Sequence, residues 1–396
     1  MKILIANLGS TSMKYRLFDF SGGDGELLTR GGLERVSDHA GAIEQVLCEL
    51  RSGNWIASED DLAAVGFKAI MAEGRTGCLE LTPEVVDSME AFNNVAPAHN
   101  PPYIRGIRLF AQKMPSVPLV GLFETAFYQW VPEASTRYAV PQSWHDAGVR
   151  RWGFHGASHK FIAERSAELL DREDVVQRAR NLYVDNAGSP VDGPPLRVIS
   201  CHLGGSSSIA GILNGAAVGN SMGLSPQSGL PHNNRVGDLD SMAVLHMMRR
   251  DGLSIDSVEN ALCNESGLKG LSGGHNDIRD IISEADSGNV EAKLALDVYV
   301  HSARHWLGVY FAQLNGLDAL VFTAGIGENR AGIRASICRE LDRLGIRLDA
   351  EKNEAAQAEE KVISADDSPV KVMVIPTNEE LVVAREVKRY LDHRRN

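Results

Sequence analysis

The sequence predicts an α/β protein built from a duplicated unit. Residues 3–15 and residues 198–210 share one pattern: an apolar β run, a Leu-Gly turn with small hydroxyl residues, and a second β run. A strand, a tight turn of Gly and Ser, and a returning strand form a β-hairpin. Strands followed by helices recur in both halves of the chain, as is typical of α/β layers. One hairpin near the start of each half therefore indicates two related α/β units.

The size and charge of the chain limit its class. With 396 residues, 43% of them hydrophobic, it is long enough for two packed domains. No apolar run approaches the roughly 18 residues of a membrane span, so we expect a soluble, cytoplasmic protein with no membrane partner. The formal charge of −12 disfavours nucleic acid as a partner. The five cysteines form no Cys-x-x-Cys pair, and they fit reduced core residues better than disulfides or a zinc site.

The first half contains a helix and a buried strand after its hairpin. Asn100-Pro101-Pro102 predicts a helix start with Asn100 as the cap, because proline is tolerated in a first helical turn. Residues 117–123 predict a buried strand that leads to Glu124, and a charged residue just past such a strand lies where ligands usually bind. Residues 183–195 are polar and rich in Gly and Pro, which predicts a surface loop before the second hairpin.

The second half ends in two further strand–helix pairs. Residues 289–315 predict a long helix that is capped by its first asparagine. An apolar β run then leads into Gly325-Ile326-Gly327, where backbone amides at a helix N-terminus can meet a nucleotide. The third glycine of a dinucleotide fingerprint is absent, which argues against a Rossmann site. Residues 372–375 predict the last strand, and Thr377 and Glu380 have the spacing of a capping box for the final helix.

Six motifs carry a resemblance that spans the whole chain. They occur in the order found in acetate kinases, at residues 7–14, 96–102, 151–159, 201–204, 322–329 and 375–381. The sequence is identified as a member of the acetate, propionate and butyrate kinase family, and it is most similar to the acetate/propionate branch. The resemblance implies the duplicated, ribonuclease H-like fold of the actin, hexokinase and Hsp70 group, with the active site in the cleft between two domains. Residues 1–126 with 381–396 would form an acyl-substrate domain, and residues 127–380 would form a nucleotide-binding domain.

The resemblance also implies an activity. Members of the family transfer the γ-phosphoryl group of ATP directly to a carboxylate oxygen, with Mg²⁺, and reversibly form an acyl phosphate and ADP. Such a transfer needs in-line placement and neutralisation of charge more than covalent catalysis. The implied ligands are ATP or ADP, Mg²⁺, and a small carboxylic acid or its acyl phosphate. The implied assembly is a homodimer.

Residue roles follow by resemblance, motif by motif. Arg235 matches the arginine that clamps the transferring phosphoryl group, and His155 matches the histidine that donates to one of its equatorial oxygens. Asn7 and Glu379 match metal-binding positions. The acyl-substrate positions are His99, Lys68, Ile70, Ala98, Phe154 and Pro226. The ATP-binding positions are Ser10, Ser12, Lys14, His202, Leu203, Gly204, Gly205, Ser206, Asp277, Ile278, Arg279, Gly325, Ile326, Gly327, Glu328 and Asn329.

Several departures from the family pattern fall on the chemistry. Lys68 replaces a substrate-facing arginine, so it keeps the charge without the planar fork. Glu124 replaces an aspartate of the metal site and is one methylene longer. Lys68 and Glu124 are both expected at the catalytic centre. Gly205 replaces an asparagine of the phosphate cradle, and Ile278 replaces a phenylalanine near the adenine. These changes permit either adaptation to a different acid or phosphoryl donor, or decay of the site.

Three functional hypotheses result. The first, which we favour, is a short-chain carboxylate kinase or a paralogue that acts on a related small acid. The second is a non-catalytic protein that binds a nucleotide or an acyl phosphate. The third is an enzyme that uses pyrophosphate as the donor, which the change at Ile278 motivates. A zinc site at His155 and His159 is disfavoured, because no catalytic acid follows the first histidine.

Overall fold

The structure is a computed structural model that describes residues 1–9, 11–97, 99–184 and 190–395. The contacts expected of Ser10 and Ala98 lie outside the described residues, as does part of the loop expected at 183–195. Over the described ranges the chain forms two six-stranded sheets with helices packed against them. This arrangement confirms the α/β class.

The first sheet is built from the N-terminal part of the chain. Its strands are β1 (Lys2–Leu8), β2 (Ser12–Asp19), β3 (Glu26–Glu34), β4 (Leu62–Ala69), β5 (Cys78–Glu80) and β6 (Leu119–Phe123). They lie in the order β3-β2-β1-β4-β6-β5. β1 pairs antiparallel with β2, so the first hairpin is confirmed, and β1, β4 and β6 are parallel neighbours.

The second sheet repeats this plan. Its strands are β7 (Arg197–His202), β8 (Ser208–Leu213), β9 (Ala216–Asn220), β10 (Ala319–Thr323), β11 (Lys361–Val362) and β12 (Lys371–Val374). They lie in the order β9-β8-β7-β10-β12-β11, in which β7 and β8 form the second hairpin and β7, β10 and β12 are parallel. Strand order and strand directions match those of the first sheet. The duplication predicted from the two hairpins is therefore confirmed.

Helices cover both sheets. In the described residues they are α1 (His39–Ser52), α2 (Pro83–Glu90), α3 (Asn100–Lys113), α4 (Glu133–Thr136), α5 (Gln142–Asp146), α6 (Gly156–Leu169), α7 (Glu173–Asn181), α8 (Ser241–Asp251), α9 (Ile255–Asn260), α10 (Gly267–Leu271), α11 (Ile278–Asp286), α12 (Val290–Leu314), α13 (Ala324–Asn329), α14 (Ala331–Cys338), α15 (Ala350–Ala355) and α16 (Glu379–Arg395). None of these described helices is long and apolar enough to cross a bilayer.

The last helix returns to the first sheet. Val383 and Val387 of α16 are fully buried in the same core as Ile5 of β1 and Phe67 of β4. A second core fills the face of the other sheet that α12 covers, and a third lies on its opposite face. The chain thus begins and ends in the first unit, which brings the start of α16 close to the edge of the first sheet.

Two predicted caps are wrong. Asn100 is the first residue of α3 rather than its cap, because its side-chain amide is buried and donates to the carbonyls of Met71 and Met89 at 3.1 and 2.8 Å. At α16 the side chain of Asn378, rather than that of Thr377, accepts a bond from the Leu381 amide at 3.3 Å. The long helix α12 follows its prediction, since Asn289 accepts from the amides of its first turn.

Candidate active site at the carboxyl ends of the central strands

Three functional side chains of the first sheet meet at one edge. Asn7 lies near the carboxyl end of β1, Lys68 lies near that of β4, and Glu124 follows β6 directly. Because the three strands are parallel neighbours, their carboxyl ends share an edge, which is where ligands bind in α/β folds. Glu379, the first residue of α16, joins them from the other end of the chain, since Lys68 Nζ donates to its Oε2 at 2.6 Å.

Lys68 lies between two carboxylates. Its Nζ is 2.6 Å from Glu379 Oε2 and 3.3 Å from Glu124 Oε1. Burial acts to lower the pKa of Lys68, but the charges of Glu379 and Glu124 hold it well above its ordinary value. Burial raises the pKa of Glu124, and the ammonium offsets this only in part. Burial also acts to raise the pKa of Glu379, but Lys68 holds that pKa below its usual range.

The same carboxylates have chemistry that suits a small divalent cation. Both oxygens of Glu124 and Oε1 of Glu379 are buried, and they have no hydrogen-bond partner within the described residues. Asn7 Oδ1 lies nearby and accepts a hydrogen bond from the Tyr103 hydroxyl. Over the described ranges, no cluster of three His, Cys, Asp or Glu side chains could hold a metal ion by itself. Two carboxylates and an asparagine oxygen fit Mg²⁺, which typically takes one or two carboxylates and completes its shell with water and substrate phosphates.

His155 is held beside this carboxylate pair by the backbone. It precedes α6 in the left-handed conformation, with φ of 56°. The next amide, that of Gly156, donates to the Glu124 carbonyl at 3.0 Å. A Cβ at Gly156 would lie 2.3 Å from that carbonyl oxygen, so only glycine permits the approach. The turn thus fixes His155 next to the strand end that carries Glu124.

A serine links two histidines. Ser208 Oγ lies 2.8 Å from His155 Nδ1 and 2.8 Å from His159 Nε2, and His159 Nδ1 lies 2.8 Å from Ser200 Oγ. The Ser208 hydroxyl has one proton, so it donates to one ring and accepts from the other. When it donates to His155 Nδ1, the proton of the neutral His155 ring lies on Nε2. Ser208 therefore couples the tautomers of the two rings.

Burial keeps these rings neutral. His202 stacks on His155 with the ring centroids 3.9 Å apart, and burial lowers the pKa of His202 to about 4. Burial, together with the neighbouring histidines, lowers the pKa of His155 well below its ordinary value, and His159 is shifted in the same direction. At neutral pH His155 is thus a neutral imidazole that can act as a hydrogen-bond donor.

Arg235 lies on the loop between β9 and α8. Its Nη1 donates to the Pro226 carbonyl at 2.7 Å, and its own carbonyl accepts from the His232 amide at 3.0 Å. Burial lowers its pKa to about 10, so the guanidinium remains charged at neutral pH. Burial, followed by the charges of Arg235 and Lys68, lowers the pKa of His99 to about 4. Arg235 and Lys68 are therefore both close enough to His99 for their charges to affect its pKa.

The backbone of the Arg235 loop packs closely against a glycine. Gly267 has a φ of +65°, and a Cβ there would lie 2.2 Å from the His232 carbonyl oxygen and 2.5 Å from that of Arg235. The amide of Leu268 donates to the same His232 carbonyl at 2.8 Å. This backbone contact restrains the position from which the guanidinium extends.

A cavity of about 510 Å³ lies at the carboxyl ends of the central strands of the second sheet. Many residues predicted to hold ATP line it: Gly204, Gly205, Asp277, Ile278, Arg279, Gly325, Ile326 and Asn329. The lining also includes Asn233, Arg330 and Gln357, which the sequence analysis did not single out because they lie outside the motifs that hold ATP. The backbone amide of Asn233 donates a hydrogen bond to the Gly205 carbonyl at 3.0 Å, which fixes its position.

Other predicted ATP positions lie in or near the turns around this cavity, and some of them stabilise these turns through hydrogen bonds. The Leu203 side chain is buried, and its carbonyl accepts from the amides of Ile326 and Gly327 at 2.8 and 3.0 Å. Glu328 Oε1 accepts from the Ala324 amide at 2.7 Å. Ser206 is half-buried in the turn after β7. Lys14 is exposed on β2 opposite Asn7, with Ser12 at the start of the same strand.

The predicted acyl positions of the first sheet and of its neighbours are mostly apolar. Ile70 and Phe154 are buried, with exposed fractions of 7% and 2%. The Phe154 carbonyl accepts from the Tyr128 hydroxyl at 2.6 Å, which fixes the backbone just before His155. Tyr103, the partner of Asn7, was not predicted, because nothing in its local sequence distinguishes it from a core tyrosine.

Comparison with known proteins gives the family. The family model of the acetokinase family matches residues 29–385. The chain belongs to the acetokinase family. An acetate kinase of Alkaliphilus metalliredigens is 38% identical, over 98% of this chain and 99% of that protein. The resemblance drawn from the six motifs is therefore confirmed.

Solved structures of acetokinase-type enzymes have the same fold. The crystal structure of Porphyromonas gingivalis acetate kinase matches with a TM-score of 0.85 and 32% identity, covering 98% of this chain and 99% of that one. A propionate kinase of Francisella tularensis matches with a TM-score of 0.82 and 30% identity, covering 97% and 98%. The acetokinase fold thus accounts for the whole chain, including both sheets.

Proposed function

We propose that this acetokinase-family protein transfers the γ-phosphoryl group of ATP to the carboxylate of acetate or propionate, and that it runs the reaction in both directions. It is a carboxylate kinase. The observation that carries the proposal is the charge arrangement at the strand ends: Lys68 contacts Glu124 and Glu379, its charge acts on neutral His155, and the charges of Arg235 and Lys68 both act on His99. The full-length similarity to acetate and propionate kinases supports the choice of acids.

The chemistry follows from these groups. The acid's carboxylate is the nucleophile, so the protein needs no general base to activate it. Negative charge spreads over the equatorial oxygens of the transferring phosphoryl group, and preorganised donors there lower the barrier. Arg235 provides a fixed positive charge, and a neutral His155 provides a donor. Asn7, Glu124 and Glu379 would hold Mg²⁺, which when bound neutralises charge on the nucleotide phosphates.

The two ligands are assigned to different units of the fold. We propose that residues 1–126 with 381–396 bind the acid and that residues 127–380 bind ATP or ADP. The location of the 510 Å³ cavity in the second unit supports this division, as does the packing of α16 on the first sheet. The comparisons do not favour a pyrophosphate donor or a non-catalytic binding protein.

The test is a hydroxylamine trap for acyl phosphate. Purified protein, Mg-ATP and a panel of small carboxylic acids are incubated together, with Arg235→Ala as the control. We expect acyl hydroxamate from acetate or propionate and its loss in the variant. No product from any acid, with ATP still bound, would refute the proposal.

Ser208 is expected to position His155 for this reaction. In Ser208→Ala, His155 Nδ1 loses its partner, so the ring no longer holds one tautomer. We expect kcat to fall about 10- to 100-fold, by analogy with the loss of hydrogen bonds that orient metal-bound histidines, with little change in either KM. Ring ¹⁵N shifts of His155 should show mixed tautomers in Ser208→Ala and a single one in wild type.

Two comparisons separate positioning from stability. Ser208→Thr keeps a hydroxyl and should recover part of kcat. Ser364→Ala removes another buried hydroxyl, one that has no hydrogen-bond partner within the described residues, and should leave kcat unchanged. An unchanged kcat in Ser208→Ala would show that the link to His155 has no role.

We also propose that the protein is a homodimer in which a second copy covers the α8–α9 segment. Neither helix has a buried residue, and Leu239, Met242, Leu245 and Ile255 are exposed by 47%, 56%, 42% and 74%. Met242 and Leu245 are three residues apart on one helix face. Clustered apolar exposure of this kind marks an interaction surface.

The assembly is measured by light scattering after size exclusion. We expect a dimeric mass for wild type and a monomeric mass for the double variant Met242→Glu/Leu245→Glu. Val290→Glu changes a residue that is 79% exposed at the start of α12 and should leave the mass unchanged. A wild-type monomer would contradict the proposal.

A further inference from the structure

Lys68 places a cation between two carboxylates that suit a metal. Its nitrogen lies within 3.3 Å of an oxygen of each, and the exposed fractions of the side chains are 21% for Lys68, 5% for Glu124 and 15% for Glu379. The three groups together carry one net negative charge when all are ionised. Without the ammonium, the same space would contain two carboxylates and two negative charges.

A lysine suits this position for a geometric reason. Its ammonium is a compact point charge with three donors, which can lie between two carboxylates on different elements. β4 supplies Lys68, the end of β6 supplies Glu124, and α16 supplies Glu379. A planar guanidinium, by contrast, pairs most strongly with one carboxylate in a bidentate fashion. The replacement of the family's arginine therefore changes where the charge lies as well as how it binds.

Whether the Lys68 ammonium repels or attracts a ligand depends on the net charge of that ligand. A free divalent cation has two positive charges, and it is repelled by a fixed positive charge a few ångströms away inside a partly buried site. The complex of the same cation with ATP is negative overall, and its phosphate oxygens are attracted to Lys68. Glu124 Oε2 and Glu379 Oε1 have no hydrogen-bond partner within the described residues, so they remain open to the metal of such a complex, while Glu124 Oε1 is paired with Lys68.

We propose that Lys68 is a built-in counter-ion which prevents the Glu124–Glu379 pair from capturing a free divalent cation, so that the metal binds only as its nucleotide complex. The inference rests on the proposed function for the arrival of the metal with ATP. Lys68 is thus a discriminating residue of the metal site, in addition to any contact with the acid.

The experiment titrates Mn²⁺, a probe with the same oxygen preference as Mg²⁺, into nucleotide-free protein and follows free Mn²⁺ by electron paramagnetic resonance. Wild type should bind Mn²⁺ weakly, with a dissociation constant above about 1 mM. Lys68→Met keeps most of the length of the side chain and removes its charge, and it should bind at least tenfold more tightly. Lys68→Arg keeps the charge but directs it to one carboxylate, so its Mn²⁺ affinity should lie between those of wild type and Lys68→Met.

Further arms assign the site and separate this inference from the proposed function. Adding Glu379→Gln to Lys68→Met should abolish the new binding. In equilibrium dialysis, wild type should retain Mn²⁺ together with ATP, which separates binding to the protein from chelation by ATP in solution. Failure of that arm would count against the proposed nucleotide binding, whereas the free-metal titrations test Lys68 by themselves. The trap for acyl phosphate is independent of all these titrations.

Two results would overturn the inference. One is micromolar binding of free Mn²⁺ by wild type, which needs no variant to be observed. The other is equal Mn²⁺ affinity of Lys68→Met and wild type. Lys68→Gln is the second uncharged variant should Lys68→Met not fold, and circular dichroism checks both.

Discussion

Replacing Arg235 with alanine should reduce kcat about a thousandfold or more, because the variant loses the fixed positive charge that stabilises the transferring phosphoryl group. The guanidinium is partly buried on a loop whose backbone is restrained by Gly267, so its charge is held in a restrained position. Arg235→Lys keeps the charge without the planar fork and should recover only part of the rate. Formation of acyl hydroxamate under saturating substrates measures the effect.

The folded state should remain largely intact in Arg235→Ala. Among the residues that the structure describes, the arginine side chain donates one hydrogen bond, to the Pro226 carbonyl, so the free energy of unfolding should fall by about 1 kcal/mol. Arg347→Ala provides the matched control, because Arg347 is 43% exposed outside α8 and α9 and pairs with Asp367. A kcat for Arg235→Ala within tenfold of that for Arg347→Ala would exclude the proposed role.

Replacing Lys160 with methionine should lower the free energy of unfolding by about 3 kcal/mol, the lower end of the cost of removing one partner from a buried ion pair, because Arg385 and Arg389 still pair with the two carboxylates. Lys160 is fully buried on α6, where its Nζ contacts Glu164 and lies 2.9 Å from Glu386 of α16. Both carboxylates are nearly inaccessible, with 3% and 1% of the side chain exposed. The cluster joins the helix that follows His155 to the helix that begins at Glu379.

Urea unfolding monitored by circular dichroism measures this loss. Lys293→Met removes an exposed lysine that pairs with Asp297 one turn away, and it should cost about 0.5 kcal/mol or less. A triple variant, Lys160→Met/Glu164→Leu/Glu386→Leu, replaces the central ions by apolar groups and should be more stable than Lys160→Met alone. Equal effects of Lys160→Met and Lys293→Met would show that the cluster carries little energy.

Local patterns in the sequence were sufficient for much of the fold. The apolar β runs and the Leu-Gly turns of residues 3–15 and 198–210 predicted two hairpins, and the structure contains both. The long helix and its asparagine cap were predicted for the same reason, since capping depends on a few adjacent residues. The predicted cap at Asn100 was wrong because its side-chain amide donates hydrogen bonds to the carbonyls of Met71 and Met89, which are distant in sequence.

The candidate site was predictable only as a set of residues. Motif matching singled out Lys68, Glu124 and Glu379 one by one, each with a separate expected role. It also grouped His202 with the ATP positions, whereas in the structure its ring stacks on His155. Asn233, Arg330 and Gln357 line the cavity of the second unit without any motif to mark them. Their role depends on how loops pack, which local sequence does not encode.

The sequence alone determined the duplicated α/β plan, the family and the candidate site residues, because apolar β runs, turn composition and motifs are properties of short stretches. The tertiary structure decided which charges meet. Lys68 and Glu379 are 311 positions apart in the chain, yet they make a 2.6 Å hydrogen bond. That contact exists because the last helix packs back onto the first sheet, and its consequence for the metal follows from the low local dielectric that burial creates.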